Sequence, residues 1–113
     1  MYKIKKNNLK SIIIHPNSKI RDAIKKLSKT GLQILIVCNN KGQITGTITD
    51  GDIRRGLLRK ISLDANIINI YNKKPFYLKE DLNDSIINFI LRNKALSHVP
   101  LVDKKLKLKS LYS

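Results

Sequence analysis

The sequence predicts an α+β fold built from a strand-helix-strand-strand-helix unit in tandem, the second copy cut short at its C-terminal end. Three observations carry that prediction. Ile20, Ala23, Ile24 and Leu27 fall at i, i+3, i+4 and i+7, the spacing of a helix with one buried face. Leu82, Ser85, Ile86 and Phe89 repeat that spacing 62 positions later. An aliphatic run of strand length follows each helix, "LQILIV" in the first case and "HVPLVD" in the second. A unit this small cannot bury its own apolar face, so the repeat implies a packed twin.

Taken in order, Ile12 to Ile14 reads as a short buried strand closed by the turn "HPNS". Asn17 or Ser18 is placed to accept from the free amides of a helix start. Lys25, Lys26 and Lys29 face outward on that helix, and Gly31 ends it in the left-handed conformation. "LQILIV" is continuous enough for a strand covered on both faces. "CNNKGQ" turns the chain into "ITGTIT", an antiparallel partner, and Asp50 or Asp52 opens a second helix containing Ile53, Leu57 and Leu58.

After the connector "ISLDANIINIYNKKP", "FYL" is the next strand, and Asp81 with Asp84 resembles a capping arrangement. The following helix is expected to be one turn longer than its counterpart, since Val102 lies 65 positions after Val37. "LKLKSLYS" answers to "ITGTIT", its lysines alternating with Leu106 and Leu108 as in a half-buried strand. Two segments result: residues 1–62, a first unit with its lead-in, and residues 63–113, the connector and an incomplete second unit. In the second, the position answering to Thr49 is read as Ser113, with the carboxylate three residues later missing.

Composition narrows the function classes. Apolar residues make up 42% of the 113, enough for a core, and the 5% of aromatics means that core is aliphatic. A single cysteine excludes a disulfide framework, and no Cys/His cluster suggests zinc. The apolar run near the N-terminus is too short for a signal peptide, and no run has the length of a membrane span, so a cytoplasmic protein is expected. The formal charge of +15 is mostly dispersed lysine. Without a stripe of basic residues or aromatics for base stacking, it reads as a solvated surface, and a nucleic-acid partner is not expected.

The densest chemistry lies in "GTITDGDIRRGLL", Gly46 to Leu58. Thr49 ends a strand, and Asp52 lies in the first turn of the helix that follows. A hydroxyl and a carboxylate so placed can point into one cleft, where free amides and the helix dipole favour an anion. A carboxylate also suits the hydroxyls of a ribose. Arg54 and Arg55 supply charge for phosphate, while Gly46 and Gly51 permit close approach or a sharp turn. The opposing reading is that Asp50 and Asp52 only cap the helix and that the arginines are solvated.

Catalytic readings are weaker. A calcium loop needs oxygen ligands where Ile53, Arg54 and Arg55 stand. "DGD" as an Asp-x-Asp metal motif needs a much larger transferase fold around it. Acid-base work needs two carboxyls with separated pKa values, whereas two arginines hold both ionised. No nucleophile has a neighbouring base; His98 reads as a partly covered strand-start residue and Cys38 as apolar filler. No catalytic residue and no metal site is expected.

Tandem units of this order, with "G-x-x-T-x-x-D" closing the first, "HVPLVD" in the second and "NKKP" leading into it, resemble a cystathionine-β-synthase (CBS) domain pair. The stretch "GLQILIV…GTITDGDIRRGLL…SLDANIINIYNKKP" is similar to the pair found ahead of bacterial sugar nucleotidyltransferases. Similar "TDGD" segments occur in the pairs of sugar-phosphate isomerases. The resemblance implies a regulatory, non-catalytic module that binds an adenine nucleotide (AMP, ADP or ATP), forms a homodimer and modulates an attached transferase domain. It also implies site residues: Thr49 and Asp52 on phosphate and ribose, with Ile14, His15, Gln33 and Ile34 around the base. The alternative is a structural dimerisation module with an empty cleft.

Overall fold

The computed structural model describes residues 3–4, 6–94 and 96–112. A two-residue strand β1 (Lys3–Ile4) leads through a 3-10 helix (Lys6–Ile12) into β2 (Ile13–Ile14), α1 (Ile20–Thr30), β3 (Ile34–Cys38), β4 (Ile44–Thr49) and α2 (Asp50–Leu58). A 3-10 turn (Ile67–Asn69) lies in the connector, followed by β5 (Leu78–Lys79), α3 (Asp84–Lys94), β6 (Val99–Val102) and β7 (Leu108–Tyr112). This is the α+β tandem repeat expected from the sequence. One sheet runs β2-β3-β4 and the other β1-β7-β6-β5. Each unit joins a parallel pair to an antiparallel hairpin, and the registers correspond. Ile13 opposite Ile36 recurs as Leu78 opposite Leu101, and Ile34 opposite Thr49 recurs as Val99 opposite Tyr112.

Every residue of β3 is buried, because the strand has cover on both faces. Leu35 and Val37 pack with Ile48 against Ile20, Ala23 and Leu27 of α1 and Ile53 of α2. Ile34, Ile36 and Cys38 point the other way, toward Val102, Leu108 and Leu111 of the second sheet. The shared apolar layer between the sheets is what makes the two units one body. Burial there pushes the Cys38 thiol up to about 11, so it stays a protonated, inert side chain.

The connector completes the first unit. Ile67 and Ile70 enter its core, and the amides of Ile20 and Arg21 at the start of α1 donate to the carbonyls of Ala65 and Leu63, both at 2.9 Å. Thr47 and Asn72 exchange backbone bonds of 3.0 and 2.8 Å, which lays the connector across Gly46. A Cβ on Gly46 would overlap the Asn72 carbonyl and the Tyr71 ring. Close backbone approach therefore accounts for that glycine.

Several local expectations are corrected. The N-cap of α1 is Lys19, not Asn17 or Ser18, and its amide donates to the Asp22 carboxylate at 3.2 Å. The connector carbonyls set where that helix begins. In α3 the buried residues are Ile87 and Leu91, whereas Ser85, Ile86 and Phe89 are exposed. Asn83 caps this helix by accepting from Ile86 N at 2.9 Å, in place of the Asp81/Asp84 arrangement. The helical phase follows from that start. α3 is not a turn longer, since both helices have 11 residues; the added residue lies after it, where Leu96 N reaches back to Leu91 O at 3.1 Å.

Strand limits shift as well. Ile12 ends the 3-10 helix rather than starting β2, and Phe76 and Tyr77 precede β5. Leu106 lies in a turn rather than in the alternating strand, at φ 65°. That turn copies the one at Gly42, which has φ 79°. In both, one side chain accepts from two amides: Asn39 from Lys41 and Gln43, Asp103 from Lys105 and Lys107. The hydrogen bond from the Lys107 amide, then that from the Lys105 amide and the charges of Lys109 and Lys107, hold the Asp103 carboxyl below the usual range. Strand β1 was not foreseen; it pairs with β7, so the lead-in to the first unit joins the sheet of the second. Among the described residues no helix is long and apolar enough to cross a membrane.

Candidate ligand-binding cleft

Strand β4 delivers Thr49 to the start of α2 in an extended conformation, φ −118° and ψ 167°. Its Oγ1 accepts from the Asp52 amide at 3.1 Å, and Asp52 Oδ2 accepts from the Thr49 amide at 3.0 Å. This reciprocal cap satisfies two backbone donors that the helix start leaves over. Asp52 Oδ1 accepts from Arg55 Nη2 at 2.7 Å. Both carboxylate oxygens are thus engaged. Thr49 differs: its hydroxyl serves the cap as an acceptor, which leaves the O–H able to donate. A cap and a ligand contact are compatible at Thr49.

Beside this junction lies a cleft of about 410 Å³, lined by Gln33, Thr49, Asp50, Gly51 and Arg54 of the first unit and by Ser97 and His98 of the second. Its two walls meet for a reason visible in the registers. Gln33 precedes β3 as His98 precedes β6, and the sheets pack face to face. Asp50 and Arg54 are one helical turn apart, on the same side of α2. The missing side chain of Gly51 leaves bare helical backbone on the cleft wall. Burial holds the His98 imidazole below its ordinary value, and its Nδ1 is enclosed without a hydrogen-bond partner.

The residues singled out in the sequence divide among different places. Gln33, Thr49 and Arg54 share the cleft. Asp52 and Arg55 line a separate hollow of about 330 Å³ with Leu58, Arg59 and Ile70, on the opposite side of α2. Ile14 is packed into the first core, and Ile34 lies in the layer between the sheets. His15 is a turn residue: its Nδ1 accepts from Asn17 N at 3.1 Å and its carbonyl from Ser18 N at 3.0 Å. Ser97 and His98 were not picked as site residues. Their signal was the repeat itself, which sets His98 in the place of Gln33.

In the second unit the position answering to Thr49 is Tyr112, one residue before the expected Ser113, which lies outside the described residues. The Tyr112 hydroxyl donates to the Asp84 carboxylate at the start of α3. Among the described residues no group of three or more His, Cys, Asp or Glu side chains could hold a metal ion.

Comparison with known proteins places this geometry. Residues 7–59 match the CBS domain family. The chain is 30% identical over 89 residues to arabinose 5-phosphate isomerase GutQ of Escherichia coli K12, an alignment covering 79% of this chain and 28% of that protein. The chain thus spans only about a quarter of the relatives it matches. Among solved structures, CBSX2 in complex with AMP superposes with a TM-score of 0.82 at 18% identity, over 99% of this chain and 86% of that one. The CBS domain pair of MJ0100, bound to 5′-methylthioadenosine and S-adenosyl-L-methionine, gives 0.77 at 24% identity, over 90% and 83%. The matched segment, the two corresponding registers and the shared overall fold lead to one assignment: residues 7–59 match the CBS domain family, and the chain is folded as a CBS domain pair.

Proposed function

We propose that this pair is a regulatory module whose cleft at the start of α2 takes an adenine nucleotide, AMP, ADP or ATP, and biases an attached catalytic domain. The observation that carries the reading is the cleft's two-unit lining: a ligand between Arg54 and His98 touches both halves of the pair. A ligand shifts a conformational equilibrium only by its differential affinity for two arrangements. One that bridges the units has such a difference whenever they move apart. Arg54 supplies charge for phosphate and Thr49 a hydroxyl donor; Asp52, fixed by Thr49 and Arg55, holds the junction in shape. The AMP bound to CBSX2 and the adenosyl compounds bound to MJ0100 support an adenine ligand.

The attached domain is, by the sequence resemblance, a sugar nucleotidyltransferase. The match to GutQ favours a second reading, a sugar-phosphate isomerase. Both act on sugar derivatives, and the module itself carries no catalytic role in either. A homodimer in the cytoplasm is the expected state. Among the described residues Leu58 and Phe89, 78% and 66% exposed, are the most exposed large apolar side chains and suit a partner copy. They equally suit a structural dimerisation module without a ligand.

Calorimetric titration with AMP, ADP and ATP decides between these. Binding by the wild type, lost in Arg54→Glu with its melting temperature unchanged, is the expected result. Failure of AMP, ADP and ATP alike to bind the wild type rejects the sensor, and a dimer by sedimentation that ignores nucleotide then leaves the structural module.

A further inference from the structure

His98 lies in the wall opposite α2, contributed by the second unit, and its Nδ1 is enclosed without a partner. Three side chains of the cleft bear on its charge. Arg54 and Asp50 come from α2 and His98 from the segment before β6; Gln33, Thr49, Ser97 and Gly51 are neutral. With the imidazole neutral, the guanidinium and the carboxylate cancel and the cleft carries no net charge. With the imidazole protonated, the same cleft is cationic. One proton therefore decides whether an anion is attracted.

We propose that His98 makes this cleft a proton-linked phosphate site: a ligand phosphate enters together with a proton on the imidazole, so phosphate-bearing nucleotides bind more tightly as pH falls. The inference rests on the nucleotide reading above and adds to it the regulation of the site. The free imidazole resists protonation because it is enclosed. A phosphate supplies the opposite charge and restores the protonated form. The bound state then has the higher imidazole pKa, so proton and ligand assist each other, and affinity rises as pH falls through the bound-state value. An adenosyl thioether, with no phosphate, lacks this coupling. The cleft thereby separates nucleotides from their uncharged analogues most sharply at mildly acid pH.

The test is calorimetry on the whole chain, wild type and His98→Gln, with AMP and 5′-methylthioadenosine at about pH 6.5 and about pH 8. Wild type is expected to bind AMP about fivefold more tightly at the lower pH, as when one charge-assisted hydrogen bond replaces a neutral one. Repeating the titration in buffers of different ionisation enthalpy should show proton uptake. His98→Gln is expected to bind AMP more weakly than the wild type at the lower pH and to lose both the uptake and the gain. The phosphate's own ionisation near pH 6 works in the opposite direction, so it cannot imitate the effect. AMP binding with the same pH dependence in both proteins overturns this inference and leaves the nucleotide reading standing. Absence of AMP binding to the wild type at both pH values overturns this inference, and absence of ATP and ADP binding as well overturns the nucleotide reading with it.

Discussion

Thr49 and Asp52 hold each other at the mouth of α2, hydroxyl to amide at 3.1 Å and carboxylate to amide at 3.0 Å. Each is therefore a structural residue whatever else it contacts. Thr49→Ala and Asp52→Ala should each lower stability by about 1 kcal/mol through loss of the cap, while Thr49→Ser stays close to wild type. Urea denaturation reads the difference. Equal stability of Asp52→Ala and wild type would mean the cap carries no weight. For ligand work Arg54 is the better probe, because it is exposed and takes no part in this cap.

The second unit shows where periodicity alone misleads. Leu82, Ser85, Ile86 and Phe89 have the spacing of a buried helical face, yet Ile87 and Leu91 occupy it. The Asn83 cap sets the phase, and "IINFIL" contains apolar residues enough for two competing faces. Ile87→Ala should cost about 2–4 kcal/mol, and Phe89→Ala should stay within about 0.5 kcal/mol in a monomer. A large loss for Phe89→Ala in dilute solution would return that ring to an interior position. Phe89→Ala that instead weakens self-association would mark the α3 face as a dimer contact.

The tandem architecture was legible because the strands are nearly saturated with aliphatic residues and the turns are chemically alike. Asn39 and Asp103 perform the same double acceptance. The connector was not legible, since its role depends on backbone bonds across the fold: Ile20 N to Ala65 O, Thr47 N to Asn72 O. The site was half legible. Local order around Thr49 pointed to α2, but Ser97 and His98 reach the cleft only through packing of the sheets. Ile14 and Ile34 were chosen by position in the family pattern, and here both side chains serve cores.

Gly46 tests the connector directly. Gly46→Ala places a methyl group against the Asn72 carbonyl and the Tyr71 ring, neither of which is the free end of a flexible chain. Overpacking of this kind costs about 1–3 kcal/mol. Gly42→Ala, with open space but φ 79°, should cost about 1 kcal/mol from backbone conformation alone. Amide exchange separates the two. Gly46→Ala should speed exchange at Thr47 and Asn72, and Gly42→Ala should leave those amides protected. Unchanged protection at Asn72 in Gly46→Ala would remove the close-approach account of that glycine.

The Tyr112–Asp84 bond gives the second unit an alkaline limit. Hydrogen bonding to the Asp84 carboxylate, with burial and the carboxylate's charge added, pushes the Tyr112 hydroxyl up to about 12 from 10.0. Tyrosine is neutral when protonated, so a raised folded-state value means the fold favours the protonated form. The stability this adds is complete below the unfolded value and is lost as pH rises from about 10 toward 12. Lysine titration falls in the same range, so Tyr112→Phe is the reference that isolates the phenol. It should be less stable than wild type near neutrality, and the gap should narrow on going above pH 10. A gap that stays constant across that range would show that the phenolate forms without disturbing Asp84, and would sever the link between β7 and the start of α3.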